Sequence, residues 1–563
     1  MKQIITLLVA LLLLGQEGLR AAEDFRERVY AQTDKQVYLA GELLWLKLCL
    51  TDASGVPASF SKVGYVELLD DASAVVQAKI EIRNGVGEGW LELPAVLPTG
   101  YYRLVAYTRY MRNEGEAVFF QKTIGVVNTF RKDESVPTDT LLAVASADFS
   151  GNTLQLSLDK ENFSRREDGH IRLRGIPEDT HTLSVSVAGR EFIPVPDDMS
   201  VTHWKAALPT LGKGRLGERF LPEYEGHLIT AKLVNARTGE SAEQTGVSAL
   251  LGFVGDEVRV FGGQRQADAS VLFYTTQIGG MRELATSTYS NTGETYRVDI
   301  QSPFAVHAAA EMPRFRLNPA WRTELTGRYV GLQATRLFTA DSLGHVAPAL
   351  VHFRGRPYKT YVMEEWTRFS TMGESVFEFV ESVSFRSRQD GGHSLFVLLA
   401  DLSNQTVSLN TPLVLLDGIP IMDHELIYTY DPSLIKCLDV YRERYAFGGQ
   451  MFEGILAFYT YKNDYPRLKV DTSTQLFDYE GTQSHRLFYA PAYPDEESRK
   501  SRVPDYRHTL LWLPTVETRG NSELEIPFST SDLPGEYTVT VEGLTRSGKP
   551  VKAFVRFRVT GGS

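Results

Sequence analysis

Arg28-Val-Tyr30-Ala-Gln-Thr-Asp34-Lys35-Gln-Val-Tyr38-Leu-Ala-Gly41-Glu42-Leu-Leu-Trp45-Leu-Lys47-Leu sets the structural class of this chain. Two apolar runs flank an Asp-Lys turn signal, and the second alternates around Trp45, Lys47 and Cys49 with the period of two that a strand imposes. Leu97-Pro-Thr-Gly100-Tyr-Tyr-Arg-Leu-Val-Ala-Tyr107-Thr-Arg109 repeats the scheme of a turn followed by alternation. Residues 23–128 therefore read as an all-β sandwich. Aromatic residues make up 11% of the chain, with 26 Tyr and 29 Phe; such rings pack well on a pleated surface.

The Asp34, Lys35, Tyr38, Gly41, Glu42 pattern followed by a strand resembles the opening of the second macroglobulin-type domain of the α-macroglobulin family. That resemblance implies a sandwich; the residues Asp34 and Lys35 themselves read as a turn with a local ion pair rather than as ligands. The spacing recurs: Asp159, Lys160, Phe163 and Glu167 stand where Asp34, Lys35, Tyr38 and Glu42 stood, and Ile171-Arg-Leu-Arg174 replaces Trp45-Leu-Lys47-Leu. A repeated opening predicts a second sandwich over 142–217, after a polar, Pro-interrupted linker at 129–141. Alternating segments around Val247, Val271 and Tyr296 predict a third sandwich over 218–305. In arrangement it resembles the small carboxypeptidase-regulatory-type domain.

Further along, Thr411-Pro-Leu-Val-Leu-Leu-Asp417-Gly418-Ile-Pro420 is followed by Ile435-Lys-Cys437-Leu-Asp439-Val440 and by Gly454-Ile-Leu-Ala-Phe-Tyr-Thr460. These three stretches resemble the plug domain of TonB-dependent outer-membrane receptors. In that family the Asp-Gly-x-Pro turn is structural: the carboxylate accepts backbone N–H groups and the Gly takes positive φ. Only about a hundred residues follow Thr460, whereas a barrel of about 22 strands of about 9–11 residues needs several times more. The resemblance implies a plug-like domain at 345–469 without its pore. Helical spacing at 318–340 marks a connector within 306–344, and Glu364 to Val383 reads as an amphipathic helix with an acidic face. A last sandwich is expected at 470–563. The expected fold is thus mainly β and multidomain: tandem Ig/macroglobulin-like β-sandwiches plus one small α/β plug-like domain.

Composition agrees with a folded exported protein. The 563 residues are 43% hydrophobic and 23% charged, with a net charge of −11, and no basic cluster supplies a nucleic-acid footprint. Lys2, the apolar run Ile4 to Leu14 and Ala21-Ala22 read as a signal peptide over 1–22. Cys49 and Cys437 are the two cysteines; each sits in an apolar strand and reads as a buried free thiol, with a disulfide between them after export as the alternative.

Reactive motifs do not emerge from the residue types. The 11 His residues are scattered, and the nearest pair, His345 and His352, is seven apart. Neither Cys49 nor Cys437 fits the thioester segment of the macroglobulins or a nucleophile motif. Gly262-Gly263, Gly279-Gly280 and Gly448-Gly449 lack the Lys-Ser/Thr of a phosphate loop. Asp417 and Asp423 bracket Gly418 and Pro420 and read as turn residues. Asp139-Thr140-Leu141 and Asp341-Ser342-Leu343 match the acceptor triplet of Bacteroidota O-glycosylation. No cofactor or metal and no catalytic residue is expected.

The module order resembles a family of Bacteroidota exported proteins. This resemblance implies a non-enzymatic scaffold at the periplasmic or outer face of the outer membrane. Its partner would be a barrel, a TonB-dependent receptor or an assembly complex, with no nucleic acid and no membrane span of its own. The alternatives are a carbohydrate- or peptide-binding surface protein, or a macroglobulin-like protease-interacting protein without a thioester.

Overall fold

The computed structural model describes residues 25–131, 136–142, 152–196, 199–211, 217, 219–242, 246–255, 257–266, 268–276, 278–290, 293–339, 353, 356–400, 410–470 and 472–561. The expected signal peptide, His345, His352 and the Asp341 triplet lie outside them. The chain divides into two compact units, and neither is continuous in sequence. The first combines Met1–Tyr224, Phe304–Gly344 and Thr482–Ser563; the second combines Glu225–Pro303 and His345–Gly481.

The first unit begins with an eight-stranded sandwich. Glu27–Thr33, Leu43–Asp52 and Val86–Glu92 form one ladder. Ser73–Arg83, Val63–Asp70, Gly100–Thr108, Phe120–Val127 and Val37–Leu39 form the other. The ladders join at a two-residue hairpin, where Ile82 pairs with Gly87 and Arg83 with Val86. Asn84 and Gly85 between them both have positive φ, 52° and 80°, as a turn matching the twist of paired strands requires. Every residue of Glu27–Thr33 is buried, because this strand is covered on both faces: by its own core and by a second sandwich.

That second sandwich corrects the expected boundaries. Its larger sheet runs Asn162–Phe163, Pro550–Val559, Gly535–Thr545, Thr180–Gly189, Thr509–Leu513. The smaller runs Glu523–Ser529, Asp168–Arg174, Gln155–Leu158. The stretches expected to fold separately at 142–217 and 470–563 are therefore halves of one domain. Neither half has enough strands to bury both faces of a core. Together they enclose Ile171, Leu173, Val185, Val187, Val539, Val541, Ala553 and Phe557. A short helix, α1 (Val201–Ala207), places Trp204 5.3 Å from the Tyr30 ring between the two sandwiches.

The connector is helical only in part. Residues 306–316 form neither helix nor strand, and a single helix follows, α2 (Arg322–Thr339), entered through a 3-10 turn whose start is capped by Asn318. The part before the helix is clamped to the first sandwich. His307 sits between Glu67 (2.8 Å) and Glu116 (3.0 Å), and Ala305 N–H donates to the Tyr107 hydroxyl. Burial alone would lower the His307 pKa, but the two carboxylates outweigh it and hold the imidazole above its ordinary value.

In the second unit, four-stranded sheets Gln264–Arg265, Ser270–Tyr274, Leu228–Asn235, Tyr296–Ile300 and Val260–Gly262, Val247–Phe253, Met281–Ser290, Thr474–Glu480 form a sandwich. Its last strand, Thr474–Glu480, falls within the segment expected to belong to the C-terminal sandwich. The remaining sheet runs Lys359–Val362, Ile435–Phe447, Gln450–Thr460, Leu413–Leu416, Ile419–Pro420. Within it, Leu413–Leu416 lies parallel to Gln450–Thr460. The long helix expected over Glu364 to Val383 is shortened to α3 (Met372–Phe379). The Thr371 hydroxyl accepts the Glu374 N–H at 3.2 Å and starts the helix there. Ser382, at φ 65°, turns the chain into the strand Val383–Ser387.

Candidate functional site: a buried ionic joint

The first-unit motif residues converge on one internal cluster. The strand before Asp34 and the strand beginning at Leu43 are antiparallel, Thr33 facing Leu46, so the intervening loop folds back on its own carboxylate. Asp34 Oδ1 accepts the Tyr38 hydroxyl at 2.7 Å and the Trp45 N–H at 3.1 Å. Lys35 lies between Asp34 and Glu42, 3.5 and 3.2 Å from their oxygens, with its ammonium 4.5 Å from the centre of the Tyr38 ring. Gly41, at φ 89°, makes the turn that returns Glu42 to this lysine.

What the cluster adds comes from distant sequence. Asp34 Oδ2 accepts the Thr509 hydroxyl at 2.8 Å, and the Asp34 carbonyl accepts Ser186 Oγ–H at 2.7 Å. Arg328 of α2 donates to the Val37 carbonyl at 3.0 Å and approaches Glu42 to 3.5 Å. Glu191 receives the Val37 N–H at 3.5 Å. Asp34, Lys35, Glu42 and Arg328 expose 0%, 6%, 11% and 3% of their side chains. Strands of two sandwiches and one helix thus meet on a cluster of three carboxylates and two cations. Tyr30 and Glu542 (2.6 Å) extend the contact.

Electrostatics follow from burial. Desolvation would lower the Lys35 pKa, but Asp34 and Glu42 raise it above the ordinary value. Desolvation would raise Glu42, but Lys35 and Arg328 bring it below. Glu191 goes the other way: desolvation dominates over Arg328 and Lys35, and its carboxyl rises from 4.5 to about 7. His508 is pushed well below 6.5 by burial, with Arg328 and Lys35 adding to the effect, so it is neutral at ordinary pH. Glu191 Oε2, Arg328 Nε and Nη1, and His508 Nδ1 are buried without a hydrogen-bond partner among the described residues. The cluster can hold three segments together and exchange a proton at Glu191 near neutrality. None of Glu191, Arg328, His508 and Thr509 was marked by sequence spacing. Their only local signal is polarity inside apolar-rich segments.

The repeated motif reproduces the local half of this circuit at the surface. Asp159 accepts the His170 N–H at 2.8 Å, eleven residues on, as Asp34 does with Trp45. Lys160 pairs with Glu167 and stands 5.3 Å over the Phe163 ring. Asp159 also holds Arg172 at 2.6 Å.

The second-unit motif residues form a separate group. Asp417, at φ 49°, accepts Thr460 N–H (2.7 Å), the Thr460 hydroxyl (2.6 Å) and Tyr465 N–H (2.8 Å). Burial raises its pKa against those bonds. Gly418 has φ 90°, and a Cβ there would fall 1.9 Å from the Phe253 carbonyl oxygen. Pro420 offers its carbonyl to Ser287 at 2.8 Å. Asp439, fully buried, receives the Thr360 hydroxyl at 2.5 Å. Gly454, at φ 95°, packs against Val397 and the Tyr441 carbonyl. Asp423 instead engages Arg388 at 3.3 Å and Glu425 N–H, so it and Asp417 serve different turns.

Cys49 and Cys437 are buried free thiols; burial raises both, Cys437 to about 11. Trp45 and Trp90 lie beneath Arg486, which stacks 5.8 and 4.9 Å from their rings. A cleft of about 640 Å³ lies in the second unit, lined by Asn235, Arg237, Glu294, Arg297 and Gln475 among others. Among the described residues, no group of three or more His, Cys, Asp or Glu is placed to hold a metal ion. No described helix is long and apolar enough to cross a membrane.

No family model matches the chain, and no curated protein matches it. Among solved structures it is similar to native Escherichia coli alpha-2-macroglobulin, at 10% identity and a TM-score of 0.23 over 95% of this chain and 40% of that one. It is similar also to a Salmonella alpha-2-macroglobulin reacted with methylamine (9% identity, TM-score 0.23, 95% and 40%). An Escherichia coli adhesin follows at 13% identity and a TM-score of 0.14 over 50% of this chain and 64% of the adhesin. The chain spans about 40% of the length of those macroglobulins.

Proposed function

We propose that this chain is an exported, non-enzymatic binding scaffold working at the outer membrane as accessory to a barrel, a receptor or an assembly complex. The observation that carries this reading is the use to which the most motif-like residues are put. Asp34, Lys35 and Glu42 are taken up in a joint that spans up to 475 residues of sequence and braces two sandwiches against α2. Ionised groups in so buried a setting are costly to leave unpaired, so the joint resists bending. A braced pair of β-sandwiches presents fixed side surfaces, where partners bind through strand edges and aromatic anchors. Cross-linking the purified full chain in an outer-membrane extract should recover a β-barrel or assembly protein. Recovery of monomer alone, or catalytic turnover by the purified chain, would overturn the reading.

A second reading, a polar ligand such as a carbohydrate or peptide, is favoured by the cleft of about 640 Å³ between Arg237, Glu294 and Arg297. Glycan and peptide binding that is lost on Arg297→Ala, with no barrel recovered by cross-linking, would favour it over the scaffold.

A further inference from the structure

In the second unit the strand Leu413–Leu416 has an open flank. The returning strand Ile419–Pro420 pairs with Leu415 and Leu416, and the Ile421 N–H donates to the Val414 carbonyl at 2.8 Å. No described strand pairs with Leu413 on that side. A cleft of about 140 Å³ lies along this flank. Leu413, Val414, Ile421 and Phe452 give it a buried apolar floor. Thr411, Gln450 and the half-exposed Tyr289 give it a polar rim. His424 also lines it and is 5% exposed. Its Nδ1 accepts the Leu395 N–H at 3.0 Å, so the proton of the neutral ring sits on Nε2. Burial keeps the ring neutral, taking its pKa from 6.5 to about 4 against the pull of Asp423. Among the described residues nothing accepts from Nε2. A buried N–H without an acceptor is costly, and the cleft is where one can be supplied.

The lining selects the occupant. Among its described residues none is charged. The carboxylates beside them in sequence are engaged elsewhere: Asp423 with Arg388 (3.3 Å) and the Glu425 N–H (3.2 Å), Glu453 with Arg444 (3.6 Å). An ion entering the cleft would lose water and meet no opposite charge, so the fitting ligand is uncharged. The volume is under half of the roughly 300 Å³ at which drug-sized sites begin, which limits the occupant to one ring or one side chain. An apolar floor, a rim of hydroxyl and amide groups and an aromatic ring at the mouth are the complement of a pyranose, with its C–H faces and its edge of neutral hydroxyls.

We propose that this cleft binds one uncharged sugar ring of a glycan, a ring or hydroxyl oxygen accepting His424 Nε2–H and a C–H face lying against Tyr289. The site goes beyond the scaffold reading, which stands on the joint of the first unit. It shares no described lining residue with the cleft of about 640 Å³, whose Arg237, Glu294 and Arg297 suit a charged ligand instead.

The test uses the full chain with methyl glucoside, galactoside and mannoside, and methyl glucuronide as the charged counterpart, read by saturation-transfer NMR. At least one neutral glycoside binds, with an affinity that does not change between about pH 6 and pH 8, where His424 has no proton to lose. His424→Asn keeps an acceptor for the Leu395 N–H and removes the Nε2 donor. Tyr289→Ala takes away a half-exposed ring at the rim, so it tests the site even where the first variant fails to fold. Each weakens binding about fivefold or more, and Arg297→Ala leaves it unchanged. Equal or tighter binding of the glucuronide, indifference to Tyr289→Ala or to a folded His424→Asn, loss of binding on Arg297→Ala, or no glycoside bound at all would overturn the site. Tighter binding of N-acetylglutamine amide than of any glycoside would overturn it too, in favour of a peptide side chain. The scaffold reading is tested separately, by its cross-linking partner.

Discussion

The two Asp-Lys loops of the first unit use one local circuit in two settings. In both, an Asp accepts the backbone N–H eleven residues on, and the following Lys pairs with a Glu seven residues further and covers an aromatic ring. At Asp34 the circuit is sealed, with Lys35 6% exposed; at Asp159 it is open, with Lys160 45% exposed. The same residue types therefore have unlike value. An exposed pair is screened by water and salt and contributes little. A buried group with its partners removed leaves an uncompensated charge. The difference lies in what packs over the loop: Thr509, Arg328 and Glu191 over the first, solvent over the second.

The largest separation is expected from the aspartates. Asp34→Ala strips bonds from Tyr38, Trp45 and Thr509 and should cost about 3–5 kcal/mol, whereas Asp159→Ala should cost about 1 kcal/mol or less. Denaturant midpoints of the two variants should differ accordingly, and equal midpoints would erase the distinction.

Next comes pH. Glu191 binds its proton more tightly in the folded state, at about 7, than at its unfolded value of 4.5. Its contribution is full below 4.5 and is lost as pH rises through 7. From pH 5 to pH 8 the loss is about 2–3 kcal/mol. His508 titrates in the opposite sense below 6.5, so the comparison must be made against Glu191→Gln at each pH; that variant should remove the Glu191 slope. An identical pH profile in the two proteins would contradict the assignment.

Smaller still, Thr509→Val leaves Asp34 Oδ2 with Lys35 as its remaining hydrogen-bond donor and should cost about 1–2 kcal/mol. Smallest is Lys160→Met, expected within about 0.5 kcal/mol. A large effect there would mean that the second loop is also covered by something.

The mainly β, multidomain character was legible because strand periodicity and turn residues are local. So was the recurrence of Asp34, Lys35 and Glu42 at Asp159, Lys160 and Glu167, a matter of spacing alone. Pairing between Asp168–Arg174 and Glu523–Ser529 is not local: nothing in either strand names a partner some 360 residues away, so two half-domains read as two domains. Thr474–Glu480 reads from sequence as part of the C-terminal sandwich for the same reason, although it pairs with Met281–Ser290. The acidic stretch after Glu364 had helical spacing, but spacing does not register that Thr371 caps a shorter helix or that Ser382 leaves it. In the joint, the turn-forming half could be read from spacing. Glu191, Arg328, His508 and Thr509 could not, since only tertiary packing brings them there.

A double-mutant cycle between Asp34→Asn and Thr509→Val, run beside one between Asp159→Asn and Arg172→Met, tests the central claim most directly. The joint predicts a coupling of about 1–2 kcal/mol in the first cycle and under about 0.5 kcal/mol in the second. Couplings of equal size, or none between residues 34 and 509, would contradict the account of a buried brace holding the β modules in place.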